Sequence, residues 1–200
     1  LKKIVKEIRS NKINGFNVTL PYKKTIIPLL DQLTEIAKKT QSVNTVYINK
    51  NKVIGDNTDS DGFKKAIDDI DFEIKNKSAL IFGAGGVVPS IIYALQKLNV
   101  GKVYISNRTK KYADEIKKLN TNIEVVEWGV LKNADVIINA TSLGLNENDI
   151  IDVDFSNLGK NKLFYDLIYN PSKTNFLKKG EELGNQIENG KKMFAYQAQL

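Results

Sequence analysis

The apolar residues change their period several times along the chain, and each change marks an element. Leu1, Ile4, Val5 and Ile8 recur at the spacing of one helix face, so the chain opens inside a helix. Residues 13–20 read as a short strand. Pro21 then stands where a first helical turn tolerates proline, and a helix is expected through residue 33. Residues 43–49 and 52–55 alternate as two strands around the turn Asn49-Lys50-Asn51, and 58–70 reads as a helix. After a polar stretch over 73–77 the pattern changes. Residues 78–82 are a short apolar run, 83–86 a glycine turn, 87–98 a helix and 102–106 a second strand, which makes a βαβ unit. Further strands are expected at 123–126, 136–139 and 163–167, separated by short helical or turn segments.

Alternation of this kind argues for a parallel sheet covered on both faces, so the fold class is α/β. The pattern divides the chain near residues 71–76. An N-terminal α/β domain is expected over 1–74, a Rossmann-like domain over 75–187, and a last helix over 188–200 that returns to pack on the first domain. The chain begins without methionine in mid-helix and ends inside another helical run with no Gly or Pro stop signal, so a longer parent chain is expected.

Composition narrows the chemistry. Two hundred residues with 42% hydrophobic content can bury a real core, and no run approaches the roughly eighteen apolar residues of a membrane span. A soluble, cytoplasmic protein with no membrane partner is expected. Histidine and cysteine are both absent, which removes the usual metal sites, thiol nucleophiles and Ser-His-Asp machinery. No metal is expected, and any catalytic proton must move through Lys, Asp, Glu, Tyr or water. A net charge of +7 invites a nucleic-acid reading, but the basic residues are scattered in pairs such as Lys2-Lys3, Lys38-Lys39 and Lys178-Lys179 with acids between them. A solvated surface explains them, and no nucleic-acid partner is expected. Arginine occurs only at Arg9 and Arg108.

Gly83-Ala84-Gly85-Gly86 lies between an expected strand and an expected helix, where glycine lets the backbone approach a pyrophosphate and the helix start offers free N–H groups. It departs from GxGxxG, with Val88 at the third glycine position and Pro89 after it, and a plain βα turn is the alternative. At the end of the next strand an NAD site usually carries an acid for the ribose 2′-hydroxyl. This chain has Asn107, Arg108, Thr109 and Lys110 instead, where a guanidinium can fork onto a 2′-phosphate. The cofactor indicated is therefore NADP, against the alternative of a Thr109 helix cap with solvated basic residues. Thr141 and Ser142, in the loop after a third apolar strand, are candidate contacts for the nicotinamide half.

Two polar segments precede the nucleotide unit: Asn17-Val18-Thr19-Leu20-Pro21-Tyr22-Lys23, and Gly55-Asp56-Asn57-Thr58-Asp59-Ser60-Asp61-Gly62. Reducing a ketone by hydride transfer builds negative charge on its oxygen, and Lys23 is a suitable cation and proton donor. Asp59 is a natural partner to hold that ammonium. A surface lysine and a simple helix cap are the alternatives.

Taken together, these residues closely resemble the shikimate dehydrogenase family. Its hallmarks stand here in order: NVTLPYK, Ser42-Val43-Asn44-Thr45, DNTDSDG, GAGG, NRT, NATSLG, Tyr169-Asn170-Pro171, and Gly190 with Gln197-Ala198. The resemblance implies that Lys23 and Asp59 form the catalytic pair and that Thr19, Asn44, Asp59 and Gln197 bind substrate hydroxyls, with Tyr169 a further substrate contact and Leu167 and Gly190 completing the cofactor set. It implies two α/β domains facing each other across a cleft, with shikimate or 3-dehydroshikimate in the first and NADP in the second. The role it implies is NADPH-dependent reduction of 3-dehydroshikimate on the way to chorismate and the aromatic amino acids, in a monomer or homodimer. Two departures stand out. The family's N-terminal serine pair, which holds the substrate carboxylate, has no counterpart after Leu1, so these residues alone are expected to bind NADP but turn over little shikimate. Lys191-Lys192 also occupy a stretch that is usually apolar.

A dehydrogenase that also accepts quinate is the nearest rival. A glutamyl-tRNA reductase or methylenetetrahydrofolate dehydrogenase shares the glycine turn but is not expected to carry both NVTLPYK and DNTDSDG. A non-catalytic nucleotide-sensing Rossmann protein is the rival from another class, and retention of Lys23 and Asp59 counts against it.

Overall fold

The computed structural model describes residues 1–120 and 122–200. The first part of the chain runs α1 (Lys2–Arg9), β1 (Gly15–Asn17), a 3-10 turn (Ile27–Leu29), β2 (Gln32–Leu33), α2 (Glu35–Thr40), β3 (Thr45–Asn49), β4 (Lys52–Asp56) and α3 (Asp59–Asp68). Its four strands form a sheet of order β1-β3-β4-β2, in which β3 is antiparallel to β1 and β4 while β2 runs parallel to β4. The β3–β4 hairpin closes on Lys50 and Asn51, both at positive φ, the backbone whose twist suits a two-residue hairpin. Val5 and Ile8 of α1 pack on the sheet with Val18, Ile26, Ala37, Val43, Val46 and Val53.

The helix expected over residues 21–33 does not form. Pro28 falls in the middle of that span, where it would remove a helical hydrogen bond and clash with the preceding turn. The backbone finds other partners instead: Asp31 N–H donates to the Val53 carbonyl at 2.9 Å and Thr34 N–H to that of Gly55 at 3.0 Å. Arg9 fastens this segment from outside, through hydrogen bonds of 2.8 and 2.7 Å to the Asp31 carboxylate. The strand expected over 13–20 pairs only at Gly15–Asn17, after which Val18 N–H donates to the Asn44 carbonyl and the chain turns at Tyr22. Helix α2, absent from the sequence reading, starts at Thr34, whose hydroxyl accepts from Ala37 N–H as an N-cap.

The second part runs β5 (Ser78–Phe82), α4 (Val88–Lys97), β6 (Lys102–Ser106), α5 (Lys110–Leu119), β7 (Ile123–Val126), β8 (Val136–Asn139), a 3-10 turn (Ser156–Leu158), β9 (Leu163–Asp166), α6 (Asn175–Glu182), β10 (Gln186–Glu188) and α7 (Lys191–Gln199). Its six strands are all parallel, in the order β10-β9-β8-β5-β6-β7. Strands β8 and β9 are buried along their whole length, which is why they read as unbroken apolar runs. One face packs Ile81, Ile105 and Ile138 against Ile91 and Leu95 of α4, and the other packs Leu80, Phe82, Ile137 and Phe164 against Phe155 and Phe176. Strand order reverses between β8 and β5, and the crevice beyond the carboxyl ends at such a switch is where open α/β sheets bind ligands. The last helix, α7, lies against α3, and the Tyr196 hydroxyl donates to Asp69. No helix among the described residues is long and apolar enough to cross a membrane.

Candidate active site

Lys23 and Asp59 come from separate elements and meet. Lys23 follows the turn at Tyr22, and its carbonyl is held by Val43 N–H at 2.9 Å. Asp59 is the first residue of α3, where the free N–H groups of a helix start favour a carboxylate. The Lys23 ammonium donates to Asp59 Oδ2 at 2.6 Å, with the two side chains 11% and 7% exposed. So little exposure means that removing either partner leaves a charge without compensation in a poorly solvated place.

The second carboxylate oxygen is also engaged. Asn44 Nδ2 lies 3.1 Å from Asp59 Oδ1, 2.9 Å from Thr58 Oγ1 and 3.2 Å from Gln197 Oε1. An amide nitrogen has two hydrogens, so these acceptors share them, and a hydroxyl entering the site has bonds to exchange. Asn44 Oδ1 accepts from Thr58 N–H at 2.9 Å, and the Thr58 hydroxyl donates to the Gln197 carbonyl at 2.8 Å. Asn44, Thr58, Asp59 and Gln197 therefore form one unit that joins the residue before β3 to the start of α3 and to α7.

This unit faces a cavity of about 730 Å³ whose walls include Thr19, Lys23, Asn44, Asp59, Tyr169 and Gln197. The sequence reading named all six. It missed Val87, Leu145 and Phe194 in the same wall. Phe194 is half exposed and stacks on Tyr169 with ring centroids 4.7 Å apart and planes 24° off parallel. Its position three residues before Gln197 on one helix is a signal the sequence did carry. Leu145 sits in an irregular loop and carried none.

A second pocket of about 470 Å³ lies over the switch in strand order. Gly83, at φ 111°, begins the turn after β5, and a Cβ there would stand 2.6 Å from the Ala140 carbonyl oxygen. Only glycine permits that crossing. A Cβ on Gly85 would meet nothing within 4 Å, which leaves a cradle open to a ligand. Among the described residues, the N–H groups of Ala84, Gly85 and Gly86 enter no backbone hydrogen bond. Free N–H groups ahead of α4 are what a pyrophosphate needs.

Asn107 and Arg108 line this pocket with Gly83, Ala84, Gly85, Thr141 and Ser142, whereas Gly86, Thr109 and Lys110 stand outside its lining. Thr109 occupies the N-cap position of α5 but makes no side-chain cap bond. Gly86 instead faces the first part of the chain, with its carbonyl accepting from Ser42 Oγ at 3.0 Å, and a Cβ built on it would stand 3.5 Å from Leu20 Cδ2 and 4.0 Å from Lys23 Cβ.

The Thr141 loop is braced from below. Thr141 Oγ1 and N–H both donate to Asn139 Oδ1, at 2.7 and 3.0 Å, while Asn139 Nδ2 donates to Asp166 Oδ1 at 3.0 Å. Thr174 closes the network with a 2.5 Å bond to Asp166 Oδ2. Burial pushes the Asp166 carboxyl above its ordinary range, against hydrogen bonds from Thr174, Ile168 and Asn139 that favour its charged form.

The two pockets share Leu20, Val87, Leu145 and Leu167 in their walls, so they adjoin through an apolar waist. Leu167 serves both. Gly190 lines the Lys23 cavity rather than the glycine-turn pocket. Glycine cradle, free N–H groups and a facing guanidinium together fit a dinucleotide with a 2′-phosphate, and the waist leads from there to Lys23.

Comparison with known proteins gives a consistent answer. The model of the shikimate dehydrogenase substrate binding domain matches residues 1–46, and that of shikimate / quinate 5-dehydrogenase matches residues 64–167. The chain is 52% identical over 199 residues to the shikimate dehydrogenase (NADP(+)) of Pelagibacter ubique, covering 100% of this chain and 75% of that protein. Among solved structures it is similar to shikimate dehydrogenase from Aquifex aeolicus, with a TM-score of 0.89 and 38% identity over 98% of this chain and 73% of that one. The shikimate 5-dehydrogenase of Thermus thermophilus in complex with NADP(H) and shikimate is likewise similar, with a TM-score of 0.88 and 29% identity over 98% and 74% of the two chains.

Proposed function

Because the chain belongs to the shikimate dehydrogenase family, we propose that it catalyses the reversible, NADPH-dependent reduction of 3-dehydroshikimate to shikimate with Lys23 and Asp59 as its catalytic pair. The observation that carries this reading is the 2.6 Å bond between the Lys23 ammonium and Asp59 in the wall of a cavity that adjoins the glycine-turn pocket. NADPH held by the glycine turn and Arg108 would supply the hydride. As the carbonyl carbon gains that pair of electrons, the carbonyl π electrons move onto oxygen, and Lys23 gives the growing alkoxide a proton. In the direction of shikimate oxidation Lys23 takes that proton back. Asp59 holds the ammonium in position through the 2.6 Å bond, and its shared oxygen accepts a substrate hydroxyl.

The remaining residues divide by pocket. Asn44 and Gln197 exchange their mutual hydrogen bond for substrate hydroxyls, Thr19 offers its own hydroxyl from the cavity wall, and Tyr169 is a further substrate contact. Gly83, Ala84 and Gly85, with the free N–H of Gly86, take the pyrophosphate; Arg108, with Asn107 beside it in the pocket wall and Thr109 and Lys110 at the start of α5, takes the 2′-phosphate. Thr141, Ser142, Leu167 and Gly190 line the way to the nicotinamide. On this reading residues 1–74 hold substrate, 75–187 hold NADP, and 188–200 return to the first unit. The protein works in the cytoplasm as a monomer or homodimer, without a nucleic-acid partner.

Shikimate-dependent formation of NADPH by the full-length protein tests the proposal, with quinate assayed alongside. Turnover of shikimate is expected. Faster turnover of quinate would assign the broader specificity, and no turnover of either by a protein that binds NADP would make it a nucleotide sensor.

A further inference from the structure

We infer that Trp128 is the adenine-side wall of the NADP pocket, opposite Arg108. The inference rests on the reading of that pocket as the NADP site and adds a residue to it that no motif marks. Strand register provides the placement. Phe82 of β5 pairs with Ser106 of β6, and Ser106 with Val126 of β7, so Ala84, Arg108 and Trp128 each stand two residues beyond one level line across three adjacent strands. The glycine turn, the phosphate-reading arginine and the tryptophan thus leave the same edge of the sheet side by side.

Local bonds hold the indole over that edge. Ser106 Oγ donates to the Glu127 carbonyl at 3.1 Å, tying the end of β7 to the end of β6. Neighbouring strands lie about 4.8 Å apart, so β7 and β5 are separated by roughly twice that. The indole nevertheless packs edge-on against Phe82 with ring centroids 5.6 Å apart, which requires it to lean across the end of β6 toward the glycine turn. Gly129, at φ 87°, lets the backbone turn away directly afterwards.

Leaning inward makes Trp128 amphipathic in its surroundings. One side rests on the apolar cluster around Phe82 and Phe155, and the half-buried remainder lines the pocket that Arg108, Gly83, Gly85 and Thr141 also line. A rigid indole beside a planar guanidinium is a pair of surfaces suited to a flat purine, since bases stack on both and neither demands a particular hydrogen-bond pattern. Phosphate and sugar contacts alone would not need it. Were Trp128 only the rim of the core, any large apolar side chain would serve equally.

The indole also reports on the site. Its emission, taken as the difference between wild type and Trp128→Phe, is followed while the full-length protein is titrated with adenosine 2′,5′-bisphosphate, which carries the adenosine half of NADP alone, and separately with nicotinamide mononucleotide. A saturable change with the bisphosphate and none with the mononucleotide is expected. By calorimetry, Trp128→Leu should bind the bisphosphate about tenfold more weakly, whereas Trp128→Phe stays within about threefold of wild type. Wild-type bisphosphate affinity in a folded Trp128→Leu overturns the inference and leaves the proposed function standing. Should Trp128→Leu not fold, the wild-type titration still decides: unchanged Trp128 emission at saturating bisphosphate overturns it. A wild-type protein that binds no bisphosphate at all overturns the placement of the cofactor itself.

Discussion

Gly62 in α3 and Gln197 in α7 pack so closely that a Cβ built on Gly62 would lie 2.8 Å from the Gln197 backbone nitrogen and 2.8 Å from its Cβ. This contact sets how deeply α7 sinks against α3, and with it the reach of Gln197 toward Asn44 and Thr58. Gly62→Ala on an exposed helix would gain about 0.5–1 kcal/mol from propensity. Here overpacking outweighs that gain, and the variant should be destabilised by roughly 1–3 kcal/mol. Its KM for shikimate should rise while its Kd for NADP stays at the wild-type value, as thermal unfolding, initial rates and cofactor titration would show. A stabilised variant with unchanged KM would mean that α7 does not depend on this contact.

Arg108 decides the nucleotide. Replacing Arg108 with Leu should weaken NADP by about ten- to a hundredfold, the loss of a charge-assisted contact worth roughly 1.5–3 kcal/mol. NAD lacks the 2′-phosphate and should weaken far less, losing only what its adenine gains from the guanidinium face. Titration of both cofactors against both proteins checks this, and equal weakening of the two would remove the assignment.

Asp135 ties the starts of β8 and β5 together, accepting from Ser78 N–H at 2.9 Å and Ser78 Oγ at 2.8 Å. Burial works to raise this carboxyl, but the Ser78 hydrogen bonds and the charges of Lys162 and Lys77 outweigh it and hold it below the ordinary range. A depressed folded-state value means that the unfolded chain takes up the proton first as pH falls. The stabilisation is therefore present above about pH 4, the unfolded carboxylate value, and is lost as pH drops through the folded one. Asp135→Ala should cost about 1–3 kcal/mol at pH 7. Denaturant unfolding should show that deficit shrinking toward pH 3, and a deficit that holds constant would contradict the linkage.

What could be read from the sequence follows from burial. Strands β5, β8 and β9 are covered on both faces, so residues 78–82, 136–139 and 163–166 stand out as apolar runs, and the glycine turn between β5 and α4 was legible with them. The first sheet was harder because its elements are short: β2 has two residues, and its pairing with β4 competes with the helix that the proline at residue 21 suggested. Pro28 was the signal that should have ended that helix. At the site, charge and motif single out both Lys23 and Asp59, yet their meeting across 36 residues depends on the loop that Val43 holds being brought to the start of α3. Trp128 belongs to no motif. Its place comes from the alignment of three strand ends, a property of the sheet rather than of any one segment.

The central claim is that Lys23 moves the proton, and initial-rate kinetics on Lys23→Ala near saturating shikimate, with NADP affinity measured separately, test it most directly. Acid–base assistance is typically worth about a hundred- to ten-thousandfold, so kcat should fall within that range while the Kd for NADP stays nearly unchanged. Asp59→Asn should behave similarly, and the double variant should lose less than the product of the two single losses, because the pair acts as one unit. Near-normal kcat in a folded Lys23→Ala would contradict the account.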